Sequence, residues 1–299
     1  MKSKLISALI LSVLLTGGCQ DKESQAQINE LNRTVSQLTE QNKQLEMDLL
    51  VQKMRADNVI PTIFAEEEAV FQKSETINYP KSKEYAPEEG KIEYSVSTLK
   101  TNADWLNALL WAELTRENGK VPTREEFVAA YQKQLDDTKK EMLEIPSIGY
   151  EDKRWIDFIG QREKLATFAI GYYGFSGGAH GMGGKRYFTL DMTTHQMLQL
   201  TDLFDANVLS KIKALLWEVY TRNGEVKDDE TFVGKQDFNV SDNFYLDFNG
   251  VHFIYGAYEI APYAAGEQDL TLGWWQLEGL LKASFKQQNY VKLVSEASE

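Results

Sequence analysis

Residues 168–190 read as two apolar strands with a run of glycines between them, and this combination confines the chain to a sheet-based fold. Phe168, Ile170 and Tyr172 alternate with Ala169, Gly171 and Tyr173, the period of a strand with two distinct faces. The chain then passes through Ser176-Gly177-Gly178-Ala179-His180-Gly181-Met182-Gly183-Gly184 and resumes as a strand over Arg186–Leu190. A third short strand is expected over Met197–Leu200, leading into Thr201-Asp202-Leu203-Phe204. A polar loop held between two strands is a presented surface on a rigid scaffold. Its glycines fit tight turns that need positive φ, a binding loop, or both.

The remainder supplies helices and a second hairpin. Ile92-Glu93-Tyr94-Ser95-Val96 alternates as a strand, while Tyr79-Pro80 and Ala86-Pro87 mark extended or turning chain. Thr101 with Asp104 predicts a capping box ahead of a helix whose apolar face is Trp105, Leu106, Leu109, Leu110 and Leu114, ending at Asn118-Gly119. Thr123 with Glu126 predicts a second capped helix carrying Phe127, Tyr131 and Leu135 four apart, an aromatic stripe that reads as core. A helix is expected from about Asn207 to Asn223. Phe244, Leu246 and Phe248 alternate up to Asn249-Gly250, and Val251, Phe253 and Tyr255 alternate after it, a strong hairpin signal. A last strand over Leu270–Leu272 and a short helix over Trp274–Leu281 complete an α+β fold, a mainly antiparallel sheet with packed helices.

The N-terminal region carries an address. Met1 to Gly18 has Lys2 and Lys4, an apolar run from Leu5 to Leu15 and small residues before Cys19, the pattern of a lipoprotein signal peptide. Cys19 is the single cysteine; as the first mature residue it would carry fatty-acyl chains, and two or more give stable anchoring. Gln20 after it resembles the outer-membrane address of Gram-negative lipoproteins, and the expected side is the periplasm. Polar residues 20–27 read as a tether. Then Ile28, Val35, Asn42 and Leu49 fall at heptad position a, and Leu31, Leu38, Leu45 and Gln52 at d. β-branched residues at a, Leu at d and one Asn at a favour a parallel homodimer. The alternative is a single amphipathic helix packed on the globular part. No other apolar stretch approaches the ~18 residues of a spanning helix. The expected organisation is therefore leader 1–18, lipidated tether and coiled coil 19–57, a helix-rich half 58–160 and a C-terminal domain 161–299. Net charge is −13, and loss of Lys2 and Lys4 with the leader takes it to −15. Such a chain repels nucleic acid and anionic lipid surfaces; the charge either attracts a basic protein or serves solubility alone.

The loop Ser176–His180 followed by Leu200-Thr201-Asp202-Leu203-Phe204, and then Tyr258-Glu259-Ile260-Ala261-Pro262-Tyr263-Ala264-Ala265-Gly266, resembles the C-terminal domain of the RsiV-like proteins over roughly Arg162–Leu281. That family includes lysozyme-sensing anti-sigma factors and accessory domains of peptidoglycan deacetylases. The resemblance implies a non-catalytic envelope module that binds lysozyme, a related muramidase, or peptidoglycan. Relatives carry Gly-Lys in the turn where this chain has His195-Gln196, and His tolerates positive φ better than most residues. The candidate ligand-binding residues are Ser176, Gly177, Gly178 and His180 on the first loop, with Tyr258, Glu259, Pro262 and Tyr263 on the second. Backbone N–H groups, Ser176 and His180 would hydrogen-bond in a muramidase cleft, with Pro262 and Tyr263 as a low-entropy anchor. Trp274 and Trp275 are candidates for stacking on sugars. No cofactor or metal is expected: His180, His195 and His252 lack ligand spacing, and neither a Ser176/His180 dyad nor an Asp202/Glu259 carboxylate pair has a supporting pattern. A spacer role through the coiled coil alone is the third reading.

Overall fold

A computed structural model describes residues 22–57, 60–80, 87–224, 226–227 and 229–285. The leader, Cys19, Gln20 and Ala86 lie outside the described residues. The chain divides into two units, Met1–Val59 and Ile60–Glu299.

The first unit contains one helix, α1 (Lys22–Asp57), so the expected tether is already helical from Lys22. Ile28, Leu31, Val35, Leu38, Leu45 and Leu49 are 51–67% exposed, so these apolar seam positions are open to solvent. Among the described residues no helix is long and apolar enough to cross a membrane.

In the second unit, β1 (Ala65–Asn78), β2 (Glu89–Thr101), β3 (Gly149–Arg162), β4 (Leu165–Phe175), β5 (Met182–Asp191) and β6 (Gln196–Met197) form one sheet in that order. Only β2 and β3 are parallel. A parallel pair needs a crossover, and here it is made by α2 (Asp104–Thr115) and α3 (Arg124–Glu144), which pack on the sheet. Their Leu106, Leu110, Phe127, Tyr131 and Leu135 join Ile92, Tyr94, Phe168, Phe188 and Leu190 in a continuous core. Tyr94 is fully buried and its hydroxyl meets Thr138 Oγ1 at 2.9 Å, so the polar end is satisfied.

The second core lies under β7 (Phe244–Leu246), β8 (Gly250–Tyr255) and β9 (Gln268–Gly273), an antiparallel sheet faced by α5 (Leu209–Tyr220). A single-turn helix, α4 (Leu200–Leu203), precedes α5. β3 spans position 160, with a register shift against β4 between Phe158 and Gly160. The two sheets meet at the free edge of β5. Asn243 Nδ2 donates to Lys185 O at 2.8 Å, and Tyr187 N donates to Asn243 Oδ1 at 2.7 Å. One amide side chain thus stands in for a strand and blunts the edge.

Several expectations are corrected. Thr101 is not an N-cap: α2 starts at Asp104 without a side-chain cap, and Thr101 Oγ1 is taken by Asn107 Oδ1 at 2.8 Å. α2 stops at Thr115, while Asn118 (φ 49°) and Gly119 (φ 78°) form a separate tight turn. Leu198–Leu200 is not strand, since Asp202 Oδ2 accepts from Gln199 N at 2.7 Å and closes α4 instead. Trp274–Leu281 forms successive turns, not a helix, with Gly279 at φ 75°. The β7–β8 hairpin is present, but Asp247 builds its turn by accepting from Asn249 N and Gly250 N at 2.6 and 3.2 Å. Phe248 falls outside the strand and is exposed. The capped α3 is as expected: Thr123 and Glu126 bond reciprocally.

Candidate functional site

The glycine-rich segment joins β4 to β5, antiparallel neighbours paired Gly174–Met182 through Leu165–Asp191. Of its glycines, Gly177 alone has positive φ, at 81°. The tight-turn explanation therefore holds there and fails for the rest. A Cβ on Gly181 would lie 2.3 Å from the Tyr173 hydroxyl, and one on Gly183 would lie 2.8 Å from Tyr172 O and 3.1 Å from the Tyr173 ring. On β4 itself, a Cβ on Gly171 would lie 2.1 Å from the Trp155 indole. At Gly171, Gly181 and Gly183 aromatic side chains occupy the surface that a side chain would need, whereas Gly178 faces open space.

The second loop arrives from β8. It carries Tyr258, a non-glycine residue held at φ 71°. A bulky residue in the left-handed region is a genuine outlier, and such strain concentrates at functional sites. Tyr258 N donates to Ala261 O at 3.0 Å, and Pro262 leads into a single 3-10 turn, Tyr263–Ala265. The two loops then meet. The His180 imidazole stacks on Tyr263 with centroids 3.8 Å apart and planes at 19°. Tyr263 Oη donates to Gly181 O at 2.6 Å, and His180 Nδ1 donates to the same carbonyl at 3.0 Å. Tyr258 leans on Tyr263 at 5.8 Å, with its ring 51% exposed.

The two motifs, far apart in sequence, thus form a single face of His180, Tyr258 and Tyr263 over the buried Gly181. Ser176 and Gly178 are exposed at the entry of the loop, where Gly177 packs on Ser147. Glu259 points back toward Gly256, and Pro262 is exposed beside the stacked pair. Asp202 is spent on capping α4. Among the described residues no group of three or more His, Cys, Asp or Glu side chains could hold a metal ion.

Sequence reading missed the ring of polar support. Lys185 Nζ pairs with Asp157 at 2.7 Å, and the Trp155 indole N–H donates to the same carboxylate at 3.1 Å. Glu267 accepts from Lys185 N at 3.1 Å. Burial, with Glu267, Asp269 and Asp157 nearby, pushes the Tyr187 hydroxyl up to about 12. Alternation of glycine with aromatic residues on β4 was the available signal. In the β5–β6 turn, His195 adopts φ 58° and its ring stacks on Trp105 at 3.7 Å, so the turn accommodates His195 as expected.

Three similarities bear on this architecture. Residues 201–274, which include the second loop, match a family described as a protein of unknown function (DUF3298). The peptidoglycan-N-acetylmuramic acid deacetylase PdaC of Bacillus subtilis strain 168 is 24% identical over 139 residues, 44% of this chain and 30% of that protein. The chain thus spans about a third of that relative's length. Crystal structures of DUF3298 family members share the fold. The one from Bacteroides fragilis NCTC 9343 aligns with a TM-score of 0.56 and 22% identity, covering 74% of this chain and 95% of that one. The one from Pseudomonas aeruginosa PAO1 gives 0.55 and 22%, covering 75% and 96%.

Proposed function

We propose that this is a non-catalytic cell-envelope protein, held at the outer membrane by acyl chains on Cys19 and facing the periplasm. Its His180–Tyr258–Tyr263 face binds a muramidase of the lysozyme type and occupies its cleft. The observation that carries the reading is the strained Tyr258, which presents an exposed ring beside a His180–Tyr263 stack tied to Gly181. Such a face is ordered before binding, which lowers the entropy cost of association, and rigid aromatic groups are the usual binding anchors. The net charge of −13 would steer a basic partner toward it. The bare seam of α1 supports pairing of two copies through Ile28–Gln52, with Asn42 opposite its counterpart.

Calorimetry of residues 60–299 against a c-type lysozyme at moderate salt tests the reading. Binding that His180→Ala and Tyr263→Ala weaken supports it, and no heat at tens of micromolar sinks it. A second reading, recognition of peptidoglycan itself, is favoured by the similarity to a protein named for deacetylating that polymer. Retention on purified sacculi without lysozyme affinity would select it.

A further inference from the structure

The β4 strand has a second functional end. Its first residue, Leu165, lies beside a cleft of about 580 Å³, within the span of small-molecule sites (about 300–1,000 Å³). At ~3.3 Å per residue, the length of β4 separates this cleft from the glycine-rich loop by about 30 Å. Ile159, Leu165, Leu246, Phe248 and Trp274 form its apolar walls. Arg162, at the end of β3, is its cation. The Arg162 Nη1 is buried with no hydrogen-bond acceptor among the described residues. A buried donor without a partner is costly, so the site is short of one acceptor.

Phe248 shows how an acceptor would enter. Its ring lies 5.5 Å from the Arg162 guanidinium carbon. Its backbone is fixed, since Trp274 Nε1 donates to Phe248 O at 3.0 Å. Its side chain is 76% exposed and so is free to rotate away from the guanidinium. The charge around the cleft argues against a strongly anionic guest: Asp247 and Glu163 also line it. A neutral acceptor joined to a small apolar group fits better.

We infer that this cleft binds an N-acetylated hexosamine through its acetamido group. The acetamido carbonyl accepts from Arg162 Nη1, its methyl lies against Leu165 and Leu246, and Phe248 turns onto the face of the sugar. The choice of a cell-wall sugar rests on the envelope reading above, but the site is separate from the His180–Tyr263 face.

The test is nuclear magnetic resonance titration of residues 60–299, following the Trp274 indole N–H, with free monosaccharides. N-acetylglucosamine is expected to bind in the millimolar range, and glucosamine, which lacks the acetyl group, at least about tenfold more weakly, the effect of about 1.4 kcal/mol. N-acetylmuramic acid reports whether the added carboxylate is tolerated: equal or weaker binding agrees with a neutral site, and much tighter binding would replace the acetamido assignment with a carboxylate one. Arg162→Met removes the donor at similar length and should weaken N-acetylglucosamine about tenfold; Phe248→Ser should weaken it less. Unchanged melting temperatures show that the variants fold, and an Arg162→Met protein that does not fold leaves the glucosamine comparison and Phe248→Ser to decide. Equal affinity for glucosamine and N-acetylglucosamine, or no shift at tens of millimolar, overturns the inference. Lysozyme binding is read at the other end of β4, so either proposal can fail while the other stands.

Discussion

The two halves of β4 solve opposite problems with one strand. Leu165 to Ala169 is buried on both faces, between the α2–α3 core and the second sheet. From Ile170 to Phe175 the burial alternates, and Gly171 takes the position that the Trp155 indole covers. In the first half, stability comes from filled volume. In the second, side chains are withdrawn so that Trp155, Tyr172 and Tyr173 can lie against the backbone and the loop can stand clear. A strand can therefore be core at one end and display platform at the other, with its residue choice changing at Gly171.

The largest effect should come from the packed half. Phe168 is fully buried, with Phe188 and Phe158 rings at 5.7 and 5.2 Å. Phe168→Ala should cost about 3–5 kcal/mol, the usual penalty for emptying an aromatic site, measured by urea unfolding. A loss under about 1 kcal/mol would show that this half is not the packed one.

The next effect probes the change itself. Gly171→Val places atoms where the Trp155 indole lies, and should cost about 1–3 kcal/mol through overpacking. Trp155→Ala should relieve that strain, so the double variant should be more stable than the sum of its parts predicts. Strict additivity would mean that Gly171 is not there to seat the indole.

This division was only partly legible in sequence. The alternation of β4, the Thr123–Glu126 cap and the buried stripe of α3 could be read directly, because each is a local pattern with one physical cause. β1 could not. It is an edge strand with only Phe71 and Ile77 buried, and a bulge between Ala69 and Phe71 breaks its period. A one-residue slip exchanges the faces, so no alternation survives to be seen. The turn at Asp247 was hidden by the stronger Asn249-Gly250 signal. The meeting of His180 with Tyr263 is a long-range contact that neither loop encodes alone.

Titration distinguishes the covered ground from the display end a third way. His252 is buried, stacked on Tyr245 at 4.4 Å, and its Nδ1 meets Asp269 Oδ2 at 2.8 Å. Its Nε2 lies 2.8 Å from Asp247 Oδ1 but off the hydrogen-bond line. Burial opposes the charge, yet Asp269 and Asp247 outweigh it and raise the imidazolium above the ordinary 6.5. A raised folded-state value means that the stabilisation is complete below 6.5 and is lost as pH rises through the higher folded value. Partial burial would raise Asp247, but His252 and the Asn249 and Gly250 N–H groups lower it, so its contribution fades only as pH falls through the carboxylate range. The melting temperature should therefore decline from mildly acidic to mildly alkaline pH, and His252→Gln should flatten that decline. An equal slope in the variant would move the cause elsewhere.

The smallest effect should come from the display end, where a bond arranges a surface more than it stabilises the fold. Tyr263 Oη donates to Gly181 O at 2.6 Å, and that carbonyl also receives the His180 Nδ1 proton. Tyr263→Phe keeps the ring on His180 and removes one of the two donors. The carbonyl keeps the other, so no buried acceptor is left bare, and the cost should stay near about 0.5–1.5 kcal/mol. The same change loosens the first loop from the second, so amide exchange across Ser176–Gly181 should quicken far more than exchange in β3 or β5. Local quickening with little loss of global stability is the signature of a platform ordered for contact. A loss as large as that of Phe168→Ala, with exchange quickened throughout the sheet, would instead make Tyr263 a core residue and erase the difference between the two halves of β4.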